Sequence, residues 1–186
     1  MIRVVLTGSE STGKSTLGAR LAARYGAELV PEFVREFAQR KGASIDFSDH
    51  GPIAKGQMAL EDEYASRANR LLFQDTDLLS TVVYCRHYFG RSPAWIEEAA
   101  RERRPSLYLL CEIDVPWVPD GVRDRGERRE EMQQLFRDAV AESGAPYIAL
   151  EGDVMSREAK AVEAIDVILA RAASGASIVP ASRPDG

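Results

Sequence analysis

The feature that most constrains this chain is the segment GSESTGKS at residues 8–15, which directly follows the apolar run RVVLT at residues 3–7. The segment matches the pattern G-x-x-x-x-G-K-[ST]. Hydrophobic patterning predicts a strand before it and a helix over residues 14–25 after it, which is the context that the pattern requires. Its glycines let the backbone wrap so that N–H groups face phosphate oxygens, and the helix N-terminus adds a positive dipole end. The segment therefore predicts a phosphate loop.

The side chains of this loop have predicted roles towards a bound nucleoside triphosphate. We expect Lys14 to bring a mobile positive charge to the β- and γ-phosphates, and the Ser15 hydroxyl to coordinate Mg²⁺. Thr16 either satisfies the first helical turn or touches the α-phosphate. A glycine-rich turn that binds nothing is the alternative, and the combination of matched features argues against it. ATP and Mg²⁺ are the expected cofactors, and the predicted ATP-binding residues are Gly8, Ser11, Thr12, Gly13, Lys14, Ser15 and Thr16.

Strand-like and helix-like segments alternate along the rest of the chain. Short apolar runs predict strands at residues 27–31, 71–75, 106–113 and 146–150, and helical patterns lie between them, including about residues 50–72. This alternation predicts an α/β fold in which a parallel sheet carries helices on both faces. We expect one domain over residues 1–172, which ends in an amphipathic helix, and a frayed tail over residues 173–186.

The composition narrows the class of protein. The 186 residues are 45% apolar and carry a net charge of −5, which argues against a nucleic-acid-coating protein because phosphate neutralisation needs surplus Lys and Arg. Cys85 and Cys111 form no C-x-x-C pair, and His50 and His87 lack metal-ligand spacing. No apolar run approaches the roughly 20 residues of a membrane helix. We therefore expect a cytoplasmic protein that binds neither nucleic acid nor membrane.

The carboxyl end of the second predicted strand carries Glu32 and Arg35. Ligands of open α/β sheets bind beyond these strand ends. Glu32 and Arg35 are three residues apart and share a helix face, so the pair is predicted to hold a sugar hydroxyl and to accept its proton at Glu32. A surface ion pair is the alternative. Phe33 and Phe37 offer either an aromatic wall or a core stripe, and the core is favoured.

Two carboxylates follow the third predicted strand. Asp75 lies at its tip, and we expect it to support Mg²⁺ or orient the acceptor. Asp77 is expected to bind the substrate. The alternative for either residue is to cap the helix that follows.

The segment at residues 114–130 has the composition of a closing lid, with two prolines and four arginines. We expect Arg123 and Arg128 to contact the transferring phosphoryl group, although part of this segment can equally be a solvated charged helix. Trp117 either stacks on a ligand ring or pins the loop. After the last strand, Arg157 is expected to lie along the adenine of ATP.

Five stretches together resemble a known family: GSESTGKSTL, PEFVREFA, DTDLLSTVVYCRHYFG, PWVPDGVRDRGERR and LEGDVMSREAKAV. They are similar to the P-loop nicotinamide riboside kinase domain of NadR-type NAD salvage proteins, and the similarity covers nearly the whole chain up to the tail. The resemblance implies a nucleoside-kinase-like P-loop NTPase fold with a five-stranded parallel core. It also implies transfer of the ATP γ-phosphoryl to the 5′-hydroxyl of nicotinamide riboside, which gives nicotinamide mononucleotide. The sequence has no H-x-G-H-like motif, so adenylyl transfer is not carried over.

Two other functions fit part of the pattern. A nucleoside monophosphate kinase would use Arg35 to grip an acceptor phosphate and would need no base at Glu32. An ATP-dependent regulatory module would hydrolyse ATP without a small acceptor. The oligomeric state is not predicted by the sequence.

Overall fold

The computed structural model describes residues 1–114 and 128–174. The strands are β1 (Ile2–Thr7), β2 (Glu28–Val30), β3 (Leu71–Asp75), β4 (Leu107–Cys111) and β5 (Tyr147–Leu150). The helices are α1 (Lys14–Tyr25), α2 (Phe33–Lys41), α3 (His50–Arg67), α4 (Leu78–Phe89), α5 (Ala94–Glu102), α6 (Arg129–Ser143) and α7 (Val154–Ala173), and a short 3₁₀ helix (Phe47–Asp49) precedes α3.

The five strands form one parallel sheet in the order β2-β3-β1-β4-β5. The predicted α/β class and the parallel five-stranded sheet are therefore confirmed. Strand β1 lies at the centre, and its two neighbours, β3 and β4, come from distant parts of the chain. The loops that follow β1, β3 and β4 consequently meet at the carboxyl edge of the sheet, where a parallel α/β sheet binds its ligands.

Alternate residues of each strand face opposite helical layers, because side chains in a strand point to the two faces in turn. In β1, Val4 and Leu6 join the core shared with α1 and α7, whereas Val5 joins a cluster on the other face. Strand β4 divides in the same way, since Leu109 lies in the first core and Tyr108 in the second. Both faces of the sheet are therefore covered, as the apolar strands require.

One predicted helix ends earlier than expected. The pattern at residues 50–72 continues as a helix only to Arg67, and Ala68 is already extended. The buried Leu71 and Leu72 belong to β3 instead, where they pair with Ile2 and Arg3 of β1. Pairing with the central strand outweighs helix propensity in these two leucines.

No helix in the described residues is both long and apolar enough to cross a membrane. Cys85 and Cys111 are buried free thiols. Nearly all of the predicted lid and tail lies outside the described residues, including Trp117, Arg123 and the segment after Ser174.

Candidate active site

The loop between β1 and α1 has the backbone conformation that its two glycines permit. Gly8 and Gly13 have φ angles of +123° and +83°, in the region that disfavours residues with a Cβ atom. A Cβ atom on Gly8 would also lie 2.6 Å from the carbonyl oxygen of Cys111. The first glycine of the motif is thus required both by its own backbone and by the approach of β4.

Lys14 lies inside this loop, and its side chain is almost fully buried. Its Nζ atom donates to the carbonyl oxygens of Gly8 at 3.0 Å and of Ser9 at 2.5 Å. These bonds hold the ammonium group at the centre of the loop. The predicted placement of a positive charge beside bound phosphates is consistent with this position.

Two arginines brace the outer side of the same loop. Arg157 donates to the carbonyl of Thr12 at 2.7 Å, and Arg129 donates to the carbonyl of Ser11 at 3.1 Å. Gly13 is the N-cap residue of α1, and no side chain of the described residues caps that helix. The first amides of a helix have no partner within the helix, so this end of α1 suits an anion.

The structure shows a bracing role for Arg157 that the sequence did not predict. Only 3% of this residue is exposed, and its guanidinium also bonds the carbonyls of Gly152 and Glu112 and the carboxylate of Asp114. It therefore ties the loop to the ends of β4 and β5. Contact with adenine stays a prediction.

Ser15 and Asp75 lie together, as the metal-site prediction requires. The Ser15 hydroxyl donates to Asp75 Oδ2 at 2.5 Å, and Asp75 Oδ1 is buried without a hydrogen-bond partner in the described part of the chain. Burial raises the pKa of Asp75, while the bond from Ser15 opposes that rise. An unpaired buried carboxylate oxygen is costly unless something binds it.

This donor set fits Mg²⁺. The described residues contain no group of three or more His, Cys, Asp or Glu side chains that could hold a metal ion. Mg²⁺ is usually held by one or two carboxylates together with water and substrate phosphates, so one aspartate and one serine hydroxyl suffice beside a phosphate loop. Asp75 and Ser15 are the side chains that would hold it.

Glu32 is buried at the start of α2 and pairs with Arg35, whose Nε atom donates to Glu32 Oε2 at 2.8 Å. The predicted pair therefore exists. Glu32 also acts electrostatically on Asp75. The pair consequently lies beside the predicted metal site, at the same edge of the sheet.

A cavity of about 450 Å³ is lined by Glu32 and by residues of α2, α3 and α4. Its polar lining includes Asp77, Gln57 and His50, and most of the remaining wall is aromatic or aliphatic. The lining residues are Glu32, Val34, Ser44, Ile45, His50, Ile53, Gln57, Thr76, Asp77, Ser80, Thr81, Tyr84, Tyr88 and Phe89. A concave, mostly apolar space with a few polar groups is typical of a small-molecule site.

Asp77 lines this cavity and also caps α4. Its Oδ1 atom accepts from the backbone N–H groups of Leu79 and Ser80, and its Oδ2 atom accepts from the Tyr108 hydroxyl at 2.6 Å. Capping, the alternative predicted for this residue, is therefore present. Burial raises the pKa of Asp77 to about 6, although the Tyr108 bond opposes the rise. Substrate contact by Asp77 stays a prediction.

The residue between the two aspartates is conformationally unusual. Thr76 has φ +68°, which a β-branched residue rarely adopts, and its N–H donates to the carbonyl of Leu6 at 3.0 Å. Such backbone strain of about 1–3 kcal/mol often lies at functional sites. It turns the chain so that Asp75 faces the loop and Asp77 faces the cavity.

Of the arginines predicted for the lid, Arg128 is described and is exposed at the start of α6. The neighbouring Arg129 is the one that bonds the phosphate loop. Phosphate contact by Arg128 therefore stays a prediction, and Arg123 and Trp117 lie outside the described residues.

Gln133, which is fully buried on α6, was not predicted as a site residue. Its amide accepts from Ser9 N–H at 2.9 Å and donates to the carbonyl of Cys111 at 3.2 Å. It thus bridges the phosphate loop and β4. A glutamine in a polar helical stretch has no pattern that distinguishes this role from a solvent-exposed position.

A family model described as an AAA domain matches residues 3–157 of the chain. The trifunctional NAD biosynthesis/regulator protein NadR of Escherichia coli strain K12 is 33% identical over 169 residues, and NadR of Salmonella typhimurium strain LT2 is 31% identical. Each alignment covers 87% of this chain and 41% of the relative. The chain therefore spans less than half the length of these relatives.

Two solved structures are also similar to this chain. A crystal structure of NadR in complex with NAD and AMP-PNP matches with a TM-score of 0.75 at 23% identity, covering 98% of this chain and 52% of that one. A thymidylate kinase from Ehrlichia chaffeensis matches with a TM-score of 0.63 at 13% identity, over 89% of this chain and 98% of that one. Because both structures are less than 25% identical to this chain, these two likenesses show the fold alone. The resemblance to NadR-type proteins is confirmed.

Proposed function

Because the chain belongs to the family that the AAA domain model describes, and is similar to NadR over most of its length, we propose that it is an ATP-dependent ribonucleoside kinase. The proposed acceptor is the 5′-hydroxyl of nicotinamide riboside, and the proposed product is nicotinamide mononucleotide, a step of NAD biosynthesis. A second NadR crystal structure, in complex with NR, is 25% identical with a TM-score of 0.71 and supports this choice.

One observation carries the proposal: Glu32 lines the 450 Å³ cavity and also acts electrostatically on Asp75, the carboxylate that accepts from Ser15 of the phosphate loop. A hydrolase needs only the loop and a water molecule. A kinase also needs a second, shaped space in which an acceptor hydroxyl is held against the phosphate site. The described residues provide both spaces at one edge of the sheet.

In the proposed reaction, Glu32 accepts the proton of the acceptor hydroxyl as the oxygen attacks the γ-phosphorus of ATP. The bond between that phosphorus and the β–γ bridging oxygen breaks, and ADP leaves. A carboxylate has about four acceptor sites, and Arg35 Nε donates to one oxygen of Glu32. Arg35 orients the sugar or the incoming phosphoryl group, and Asp77 contacts the acceptor. Lys14 and the amides of the α1 N-terminus stabilise the charge of the transferred group.

Mg²⁺ would be held by Ser15 and Asp75, and when bound it would neutralise phosphate charge. Trp117, Arg123 and Arg128 are proposed as parts of the lid that excludes water from this site. A cytoplasmic location agrees with this substrate and is part of the same proposal.

The chemistry of the cavity favours a nucleoside over a nucleoside monophosphate. Among the described residues that line it, two are carboxylates and none is Lys or Arg. An acceptor phosphate would be brought close to these carboxylates, and like charges that share a buried space repel each other. Arg35 pairs with Glu32.

The test is a panel of acceptors incubated with the purified protein and Mg·ATP, with products detected by mass. We expect nicotinamide riboside to be phosphorylated and nicotinamide mononucleotide not to be. Lys14→Ala should abolish transfer without changing the far-ultraviolet circular dichroism, whereas Lys55→Ala, on the surface of α3, should have no effect. Turnover of monophosphates alone, or ATP hydrolysis with no phosphorylated acceptor, would contradict the proposal.

A further inference from the structure

We propose that His50 determines the specificity of the cavity, because its Nε2 atom accepts a hydrogen bond from an N–H group on the base of the acceptor. His50 would thereby select a carboxamide over a carboxylate at that position. This inference rests on the proposed function and assigns a selective contact within the same site.

The hydrogen bond on one side of the imidazole fixes its tautomer. His50 Nδ1 lies 3.0 Å from the backbone carbonyl oxygen of Asp46. A carbonyl oxygen can only accept, so Nδ1 carries a proton, and in the neutral ring Nε2 must then be an acceptor. Within residues 1–114 and 128–174, no group donates to Nε2.

The ring is held against the wall of the cavity. His50 is only 5% exposed, lines the cavity and packs edge-to-face on Phe89, with ring centroids 5.3 Å apart. Phe47 packs on the other side of this cluster, 5.7 Å from Phe89. These contacts restrict the rotation of the imidazole, so its nitrogen atoms have fixed directions.

The carbonyl that orients His50 is itself anchored. Asp46 and Asp49 form a reciprocal capping box at the 3₁₀ helix, and the Lys41 ammonium bonds both carboxylates. Ser48 N–H donates to Asp46 Oδ1 at 2.9 Å. The segment that presents His50 to the cavity is thus stabilised by its own hydrogen bonds, and this pre-organisation reduces the entropic cost of binding.

Two carboxylates of the wall favour the same choice as His50. Glu32 and Asp77 also bring acceptor oxygens to the cavity, and no Lys or Arg of the described residues lines it. A carboxylate on the acceptor's base would face Nε2 without a proton between them. A carboxamide at the same place would donate its N–H, and sites built for one hydrogen bond reject analogues that cannot make it.

The experiment compares nicotinamide riboside with nicotinic acid riboside, in which a carboxylate replaces the carboxamide. kcat, KM and the Kd of each riboside are measured for wild type, His50→Phe, His50→Gln and His87→Phe. The last variant is a matched control, since His87 is the other histidine of the chain and does not line the cavity.

We expect wild type to prefer nicotinamide riboside. His50→Phe keeps an aromatic ring on Phe89 but removes both nitrogens, so it should raise KM for nicotinamide riboside about tenfold, the worth of one hydrogen bond. The KM for nicotinic acid riboside should be unchanged or lower. His50→Gln, whose amide oxygen can accept, should retain most of the preference, and His87→Phe should retain all of it.

Each other result overturns the inference in a recognisable way. If His50→Phe keeps the wild-type preference, or weakens both ribosides equally, His50 is not a specificity residue, and the proposed function stands. If wild type prefers the carboxylate, the acceptor role of Nε2 is wrong. If wild type phosphorylates neither riboside, the proposed acceptor is wrong and this inference is lost with it. Should His50→Phe not fold, His50→Leu, which also removes both nitrogens, takes its place and is judged by the same two outcomes.

Discussion

At the scale of single residues, the proposed chemistry depends most on Glu32. This carboxylate is buried, lines the cavity, pairs with Arg35 and is close enough to Asp75 to influence its ionisation. A buried acid in such a position is either a base or a structural partner of Arg35. These two roles differ in which kinetic constant they affect.

Glu32→Gln should lower kcat by about 10²-fold or more, the range for loss of a general base, because the amide cannot accept a proton. The glutamine side chain has the size of the glutamate that it replaces, and its amide oxygen can still accept a hydrogen bond from Arg35. The Kd of an ATP analogue, measured by calorimetry, should change less than threefold, roughly within 0.7 kcal/mol. Glu36→Gln, an exposed neighbour on α2, is the control and should leave both constants unchanged. Equal losses in turnover and ATP binding would remove Glu32 from the base role.

Residues that act through short-range patterns were predictable, and those that act through distant contacts were not. Gly8, Lys14 and Ser15 follow from a motif of fixed spacing, and Glu32 and Asp75 follow from their places after strands. Arg129 and Gln133 carry no such pattern, because their partners in the phosphate loop lie 118 and 124 positions away. His50 bonds a carbonyl only four positions away, but its place in the cavity wall depends on how separate helices pack.

At the scale of elements, the contact between α2 and α3 positions the acceptor side of the site. Phe33, the residue after Glu32, lies over Gly56 of α3, where a Cβ atom would come within 2.1 Å of its ring. The Phe33 backbone N–H also donates to Gln57 Oε1 at 3.0 Å. The position of the start of α2, and hence of Glu32, therefore depends on the absence of a side chain at Gly56 of α3.

Gly56→Ala tests this packing. Alanine favours a helix over glycine by about 1 kcal/mol, but the overpacked Phe33 ring should cost about 1–3 kcal/mol and displace Glu32. We expect a net loss of unfolding free energy in urea titrations and a lower kcat. Gly51→Ala is a matched control on the same helix, because its Cβ atom would meet nothing closer than Trp95 at 3.8 Å. If the two variants are equally stable and active, α2 is not located by this contact.

Sequence patterns predicted the alternation of strands and helices because strand burial leaves runs of apolar residues. The strand predicted at residues 71–75 is confirmed as β3, but the helix predicted over about residues 50–72 overlapped it, so the end of α3 at Arg67 was not predicted. The cavity itself was not predicted either. Its wall comes from α2, α3 and α4 together, and no single segment shows a pattern for a space between helices.

At the scale of the whole molecule, one buried acid makes stability depend on pH. Glu61 of α3 is 2% exposed, its Oε1 atom has no hydrogen-bond partner in the described residues, and its Oε2 atom lies 3.1 Å from Arg103. Burial raises the pKa of Glu61 to about 7, and the nearby charge of Asp77 adds to the rise. The folded protein therefore favours the protonated acid in a range where the unfolded chain has lost its proton.

Since the folded pKa is the higher one, this contribution to stability is complete below pH 4.5 and is lost as the pH rises through about 7. The difference between pKa values of about 7 and 4.5 corresponds to about 3 kcal/mol of unfolding free energy. Glutamine at position 61 is neutral at every pH, so Glu61→Gln should not lose this contribution as the pH rises. Between pH 4.5 and 8, the unfolding free energy of wild type should therefore fall by about 3 kcal/mol more than that of Glu61→Gln. Urea titrations at several pH values measure the difference. Glu63→Gln, an exposed acid on the same helix, should follow wild type throughout. Parallel curves for wild type and Glu61→Gln would show that Glu61 is ionised in the folded protein and that Arg103 compensates its burial.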